Sequence, residues 1–362
     1  MALILDGIDM DFDNLLRTAV KNDVSDLHIQ ALSPPMMRVN GKIRTVDMPA
    51  IDNEQILKFI SAISTEADCD TLKTALMEGL DFSLNAEGVG RFRCSAYRQQ
   101  GNYGIVMRVI KTQIPSIEAL GLPDVIKDVA LAQRGLTLVT GTTGSGKSTT
   151  LAAMLEHINN QRRARIITIE DPIEYVYENK KSLVSQLEVG IDTPSFSQAL
   201  RQALRQDPDV ILIGELRDVQ SLRIALHAAD TGHQVFSTVH SANAPQTIER
   251  IITMFPPAEH KLLLSQLAGS IEAIISQRLI TTYENSRIPA VEILRGSGVA
   301  KKFIVEDKLS ELGSYIRTGE AGMQSFDQHI LRMYQNKRIS GKEAMQWATN
   351  PESFAMSMRG IK

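Results

Sequence analysis

Cysteine is almost missing from this chain: Cys69 and Cys94 are the only two, far apart and in no metal-ligand spacing. That excludes a disulfide framework and a four-cysteine zinc site, and it suits a reducing cytoplasm. Tryptophan occurs once and aromatics make up 5% of the residues, so stacking platforms for single-stranded nucleic acid are scarce. The formal net charge of −3 supplies no basic field for a phosphate backbone. No nucleic-acid partner is expected. Nor does any apolar run reach the roughly 20 residues of a membrane-spanning helix. The opening MALILDGIDMDFDN carries acids where a signal peptide has basic residues. We therefore expect a cytoplasmic protein without direct membrane insertion, which reaches a membrane only by docking on something already there. Internal repeats and low-complexity tracts are missing too.

What is present is ordinary globular material: 362 residues, 43% hydrophobic and 22% charged, enough for two cores. Residues 11–110 read as a small α+β domain. FDNLLRTAVK places Phe12, Leu15, Leu16 and Val20 at helical spacing, and SDLHIQ is a short strand. Met37 to Ile43 reads as a hairpin turning at Asn40-Gly41. Residues 53–77 are helical, RFRCSAYRQ alternates as a strand, and Ile105–Ile110 follows as another. IPSIEALGLPD (114–124) is the expected linker. Beyond it, LTLVTG, IITIED and VILIGE alternate with helical segments, the pattern of βαβ units around a parallel sheet. From about 257 the pattern turns mostly helical, through LLLSQLAGSIEAIISQRL and later FDQHILRMYQN. The expected divisions are 1–113, a linker at 114–124, an α/β core at 125–280, and a mostly helical region at 281–362.

Gly141-Thr142-Thr143-Gly144-Ser145-Gly146-Lys147-Ser148 matches G-x-x-x-x-G-K-[ST] in full, between a strand and a helix that Thr149 continues. Glycines let backbone N–H groups turn inward around phosphate oxygens, and the helix N-terminus adds its positive end. Lys147 would neutralise β- and γ-phosphates, and the Ser148 hydroxyl would ligate Mg²⁺. ATP and Mg²⁺ are the expected cofactors.

Two strands end in acids. Ile166–Ile169 runs into Glu170-Asp171-Pro172-Ile173-Glu174, and carboxyl ends of strands in open α/β sheets face the ligand crevice. Glu170 is the candidate for polarising the attacking water, with a helix cap or solvated loop as its bland alternative and Glu174 an even split. Asp209-Val-Ile-Leu-Ile-Gly214-Glu215 resembles a Walker B strand with Gly214 where Asp is usual. Glu215 is the candidate Mg²⁺ acid. His233 and His240 flank a third apolar strand and could sense the γ-phosphate or position water. Arg91 and Arg93 fall on one face of their strand and Arg98 on the other, with Arg108 on the next strand. Trans-acting arginine fingers and solvated surface charges stand even for these. Arg201, Arg205 and Arg217 are rivals.

Taken together, these motifs resemble the secretion-superfamily ATPases, and within them the type IV pilus retraction ATPases of the PilT and PilU kind. SDLHI and PPMMRVNGKIR look like that family's N-terminal PAS-like domain. GTTGSGKSTTLAAM looks like its Walker A, ITIEDPIEYV its Asp box, LRQDPDVILIGELRD its atypical Walker B, and TGHQVFSTVHSANA its His box. The resemblance implies a PAS-like α+β domain followed by a RecA-like P-loop ATPase domain with a helical C-terminal region. It implies a homo-hexamer with ATP at subunit interfaces, acting on an inner-membrane pilus platform protein at the base of the pilus. Glu170 becomes the catalytic carboxylate, Glu215 the Walker B acid and His233 with His240 the His-box pair. The finger reading rises for Arg93, Arg98 and Arg108. Pilus-assembly and type II secretion relatives usually carry a four-cysteine insert and a longer N-terminal region, both missing here. Val299-Ala300-Lys301-Lys302-Phe303-Ile304 departs from the AIRNLI motif of PilT-type enzymes, and the tail from Gly322 looks closer to PilU. An accessory role beside a PilT-type paralogue stands next to that of an autonomous motor.

Overall fold

The computed structural model describes residues 12–22, 24–39, 41–64, 69–110 and 113–359. It divides into two units, one of Met1–Gln113 with Glu174–Val176, the other of Ile114–Ile173 with Tyr177–Lys362.

The first unit runs α1 (Phe12–Lys21), β1 (Asp26–Gln30), β2 (Met36–Val39), β3 (Lys42–Thr45), α2 (Asn53–Ile63), α3 (Cys69–Glu78), β4 (Leu80–Ala86), β5 (Gly90–Gln99) and β6 (Asn102–Ile110). Its six strands form one antiparallel sheet in the order β3-β2-β1-β6-β5-β4. Helical spacing turns Phe12, Leu15, Leu16 and Ala19 inward, and Phe12 stacks on Phe59 of α2 at 4.0 Å between ring centroids. Along β5 the period of two buries Phe92, Cys94 and Ala96 while Arg93 and Ser95 stay in solvent. Burial pushes the Cys94 thiol up to about 12, so it is packing material rather than a nucleophile. The β2–β3 register leaves the expected two-residue turn. Gly41 takes φ +77° there, and Asn40 lies outside the described residues, as do the first eleven.

The second unit carries α4 (Val125–Ala130), β7 (Gly135–Thr140), α5 (Lys147–Gln161), β8 (Arg165–Glu170), β9 (Leu183–Glu188), α6 (Phe196–Ala203), β10 (Val210–Ile213), α7 (Val219–Asp230), β11 (Gln234–Val239), α8 (Ala244–Thr253), α9 (His260–Ser270), β12 (Ile271–Thr281) and β13 (Arg287–Arg295). Five helices close the chain: α10 (Gly298–Val305), α11 (Leu309–Ile316), α12 (Phe326–Gln335), α13 (Gly341–Trp347) and α14 (Pro351–Met358). The sheet order is β13-β12-β7-β11-β10-β8-β9, parallel throughout except for β13. β7, β10 and β11 are buried at every residue, as strands covered on both faces must be. The 114–124 segment is packed: Ile117 and Leu122 enter the same core as α4 and α5.

The expected helix through SIEAIISQRL is corrected. It ends at Ser270, and Ile271–Thr281 is a strand between β7 and β13. An apolar run buried on all sides has the same pattern in a helix and in a central strand. Here the β-branched Ile271, Ile274, Ile275 and Ile280 complete the sheet. β13 likewise lies in a region expected to be mostly helical.

Candidate nucleotide site

The P-loop leaves β7 after Thr140 and enters α5 at Lys147. Gly141 takes φ +149°, and a Cβ there would lie 2.5 Å from both the Gln277 carbonyl oxygen and Ser145 Oγ. Gly146 takes φ +88°, and its Cβ would meet Gln277 Nε2 at 2.8 Å. Glycine is therefore demanded twice, by dihedral and by space. Lys147 is folded back on its own loop, donating from Nζ to the carbonyls of Gly141 at 3.1 Å and Thr142 at 3.0 Å. Burial holds its ammonium below the usual pKa, and the negative charge of Glu215 works against that. A partly desolvated cation held by neutral carbonyls is a ready exchange partner for phosphate oxygen. Thr142, Thr143, Gly144 and Ser148 are exposed, while Ser145 is buried and Thr149 half-buried.

Parallel pairing aligns the carboxyl ends of neighbouring strands. Beside the loop come His240 after β11, Gly214-Glu215 after β10, and Glu170 closing β8. The Gly214 N–H donates to the Ile169 carbonyl at 2.8 Å and its own carbonyl accepts from Thr238 Oγ1 at 2.7 Å, so the backbone ahead of Glu215 is held from both sides. A Cβ on Gly214 would come to 3.4 Å from Glu170 Cα, an ordinary contact, so space does not demand glycine in the usual Asp position. Glu170 is buried and accepts from Thr168 Oγ1 at 2.7 Å. Glu215 accepts from Arg217 Nε at 2.8 Å and lies 3.5 Å from His240 Nε2. Burial and the Lys147 charge hold the His240 imidazole below its usual pKa against the pull of Glu215, so it is neutral at neutral pH.

His233 is not part of this cluster. It precedes β11, whereas His240 follows it, so a six-residue strand of about 20 Å separates them. Its carbonyl accepts from Gly135 at the start of β7, and its Nδ1 sits 3.0 Å from the Ala228 carbonyl. The strand thus points the two candidate histidines to opposite edges of the sheet, and His240 is the one beside the P-loop within a single chain.

Comparison with known proteins decides the family. A profile described as "Type II/IV secretion system protein" matches residues 6–326. The type IV pilus retraction ATPase PilT of Pseudomonas aeruginosa is 44% identical over 95% of this chain and 100% of its own. The type IV pilus ATPase PilU of the same organism is 38% identical over 97% of this chain and 92% of its own. A crystal structure of the pilus retraction motor PilT with bound ADP superposes with a TM-score of 0.88 at 38% identity, covering 95% of this chain and 99% of that one. The chain belongs to the type II/IV secretion system protein family.

Within this secretion-system protein, the arginines of the first unit sort by strand register. Arg93 pairs across from Arg108, which places both on one face, and Arg98 at odd spacing falls on the other. Arg93 and Arg98 are exposed. Arg108 donates from Nε to Asp26 at 2.9 Å, and Arg38 approaches the same carboxylate at 3.8 Å. Burial would raise the Asp26 pKa, but the hydrogen bonds from Arg108 and Ser25 outweigh it and hold the carboxyl below its usual value. Arg108 thus has a partner inside its own sheet. Arg201 and Arg205 are exposed at the end of α6 and beyond.

A residue the sequence did not flag clamps the P-loop. Gln277 of β12 donates from Nε2 to the Ser145 carbonyl at 2.7 Å and accepts from Thr150 Oγ1 at 2.7 Å, joining loop and helix. Next to it, Ser276 Oγ accepts from Thr140 at 3.0 Å. The available signal was a polar Ser-Gln pair inside an otherwise apolar run.

Proposed function

We propose that this protein is an ATP-hydrolysing motor that powers type IV pilus retraction, the activity behind twitching motility. The observation that carries the reading is Lys147 parked on the Gly141 and Thr142 carbonyls, with Glu215 and Glu170 closing adjacent strands beside it. An incoming triphosphate draws Lys147 off those carbonyls onto its β- and γ-oxygens, while the loop N–H groups and the α5 N-terminus take the remaining charge. Ser148 and Glu215 would hold Mg²⁺. This small donor set leaves most ligand positions to phosphate and water, as Mg²⁺ favours. The ion supplies charge neutralisation at the phosphates. Glu170, oriented by Thr168, aligns and deprotonates the attacking water. His240, neutral and beside Glu215, registers whether the γ-phosphate is present.

The working form is a homo-hexamer in which Arg93 or Arg98 reaches the nucleotide of a neighbouring subunit. It docks on an inner-membrane platform protein at the cytoplasmic face. The loss of γ-phosphate contacts on hydrolysis releases the closed state and moves that partner. Among the described residues no helix is long and apolar enough to cross a membrane, so force is transmitted through protein contacts.

Whether the motor is autonomous or an accessory to a PilT-type paralogue is not separated by identities of 44% and 38% to PilT and PilU. The departure of Val299–Ile304 from the PilT-type motif favours the accessory form. ATPase assays decide both questions. Lys147→Ala should lose nucleotide binding, and Glu170→Gln should bind ATP while turning over about 100-fold slower or worse. Wild-type turnover in Glu170→Gln would remove the base role. Activity of the isolated protein marks an autonomous motor, and activity arising only on mixing with a PilT-type partner marks an accessory one.

A further inference from the structure

Outside the nucleotide site, the second unit holds a cavity of about 400 Å³ between the 121–125 segment, β13 and the C-terminal end of α12. Its polar wall comprises Arg332, Arg338, Asn336, His329 and Gln324, the last already bonded to the Val291 carbonyl, and its apolar wall includes Ile288 and Met333. Arg332 and Arg338 are exposed, and among the described residues no carboxylate pairs with either or lines the cavity. His329 is 7% exposed, and its Nδ1 accepts from the Val291 N–H at 3.0 Å. That bond fixes the tautomer with the proton on Nε2. The Nε2–H is thus the donor that this cavity-lining ring has to offer.

Capping of α12 does not account for the two arginines. The helix end is already closed by its own backbone, with the N–H groups of Asn336, Lys337 and Arg338 donating to the carbonyls of Arg332, Tyr334 and Met333. What remains is a converging set of donors, two guanidinium forks, an amide and an imidazole N–H, facing a space of ligand size. Burial and the Arg332 charge hold His329 at about 4, so it enters this set as a neutral donor with a strong gain from a nearby anion.

We propose that this cavity is a second anion site, specific for a small phosphate-bearing ligand whose phosphate lies against Arg332, Arg338 and His329 while an apolar portion covers Ile288 and Met333. The arginine fork matches phosphate oxygens in pairs. The volume falls in the range of small-molecule sites, which bury an apolar body and fix it with few polar groups. None of the residues that line it belongs to the nucleotide site, which is built from the P-loop and the carboxyl ends of β8, β10 and β11.

The test follows the His329 imidazole by NMR in the full-length protein saturated with ADP, so that the P-loop is filled. Adenosine monophosphate and inorganic pyrophosphate are the two probes. Saturable displacement of the His329 signal, with its titration midpoint moving up from about 4, is the expected result. Displacement by the monophosphate but not pyrophosphate identifies a ligand with a ring-bearing body, and displacement by both identifies phosphate alone as sufficient. The response should persist in Lys147→Ala and weaken about tenfold for each arginine removed in Arg332→Gln and Arg338→Gln, one charge-assisted contact apiece. Both arginines are exposed, so the variants keep the fold. No movement of His329 with either probe up to millimolar concentration overturns the proposal. Movement that survives the double arginine variant overturns it equally.

Discussion

Replacing Gln277 with leucine separates the P-loop from the strand beside it without leaving a large hole. Gln277 is 3% exposed and spends both ends of its amide on the loop region, one on the Ser145 carbonyl and one on the Thr150 hydroxyl. Leucine keeps the bulk and removes both bonds. Each orphaned buried group costs about 1–3 kcal/mol. Thr150 escapes most of that, because a helical threonine can turn its hydroxyl onto the carbonyl four residues back, here Gly146. The Ser145 carbonyl has no such escape, so the expected loss of stability is about 2 kcal/mol. Nucleotide affinity should fall as well, because ordering the loop must then come out of the binding energy. An ordering cost of about 1.4 kcal/mol is tenfold in Kd. Urea unfolding gives the first quantity and titration with a fluorescent ADP analogue the second. Adding Thr150→Val to Gln277→Leu should cost less than the sum of the two single changes, since both delete the same bond. If Gln277→Leu leaves the urea midpoint and ADP affinity at wild-type values, the clamp is a packing coincidence and the reasoning fails.

Four further outcomes follow from the same structure. His329 is neutral and buried with a pKa of about 4 against 6.5 when unfolded, so between those values the unfolded chain binds more protons and stability falls as pH drops. A gap of about 2.5 units amounts to roughly 3 kcal/mol. Urea midpoints measured from pH 7 to pH 4 should show that loss, reduced in His329→Gln. Gly296→Ala places a Cβ 2.1 Å from the Ile271 carbonyl oxygen and should cost about 3 kcal/mol or more, read as a lowered Tm. Gly269→Ala in α9 meets nothing within 4 Å and should be neutral or stabilising by about 0.5–1 kcal/mol. Arg108→Ala leaves Asp26 with Arg38 at 3.8 Å as its remaining ion-pair contact and should lower stability by about 1–3 kcal/mol, while Arg93→Ala stays within about 0.5 kcal/mol. If instead Arg93→Ala destabilises and Arg108→Ala does not, the assignment of their roles is reversed.

Local pattern was enough wherever a segment's environment repeats with its own period. FDNLLRTAVK becomes α1 end to end, RFRCSAYRQ alternates along β5, and the P-loop sits between β7 and α5 as its glycines require. Glu170 and Glu215 were legible because a parallel sheet puts every strand's carboxyl end on one edge, a rule that needs only strand direction. The same rule, applied to β11, would have separated His233 from His240, since one precedes the strand and the other follows it.

Tertiary structure decided what depends on residues far apart in the chain. Ile271–Thr281 is a strand because β7 and β13 flank it, and its own apolar run carries no period that says so. Gln277 reaches the P-loop from far along the chain, so no local spacing could associate them. Antiparallel pairing sets Arg108 opposite Asp26, a contact between residues far apart in the chain that no local spacing shows. Motif chemistry is written locally, because phosphate binding needs a short loop of defined dihedrals. The partners that hold that loop, orient its carboxylates and neutralise stray charges are chosen by packing, and packing is a property of the folded chain.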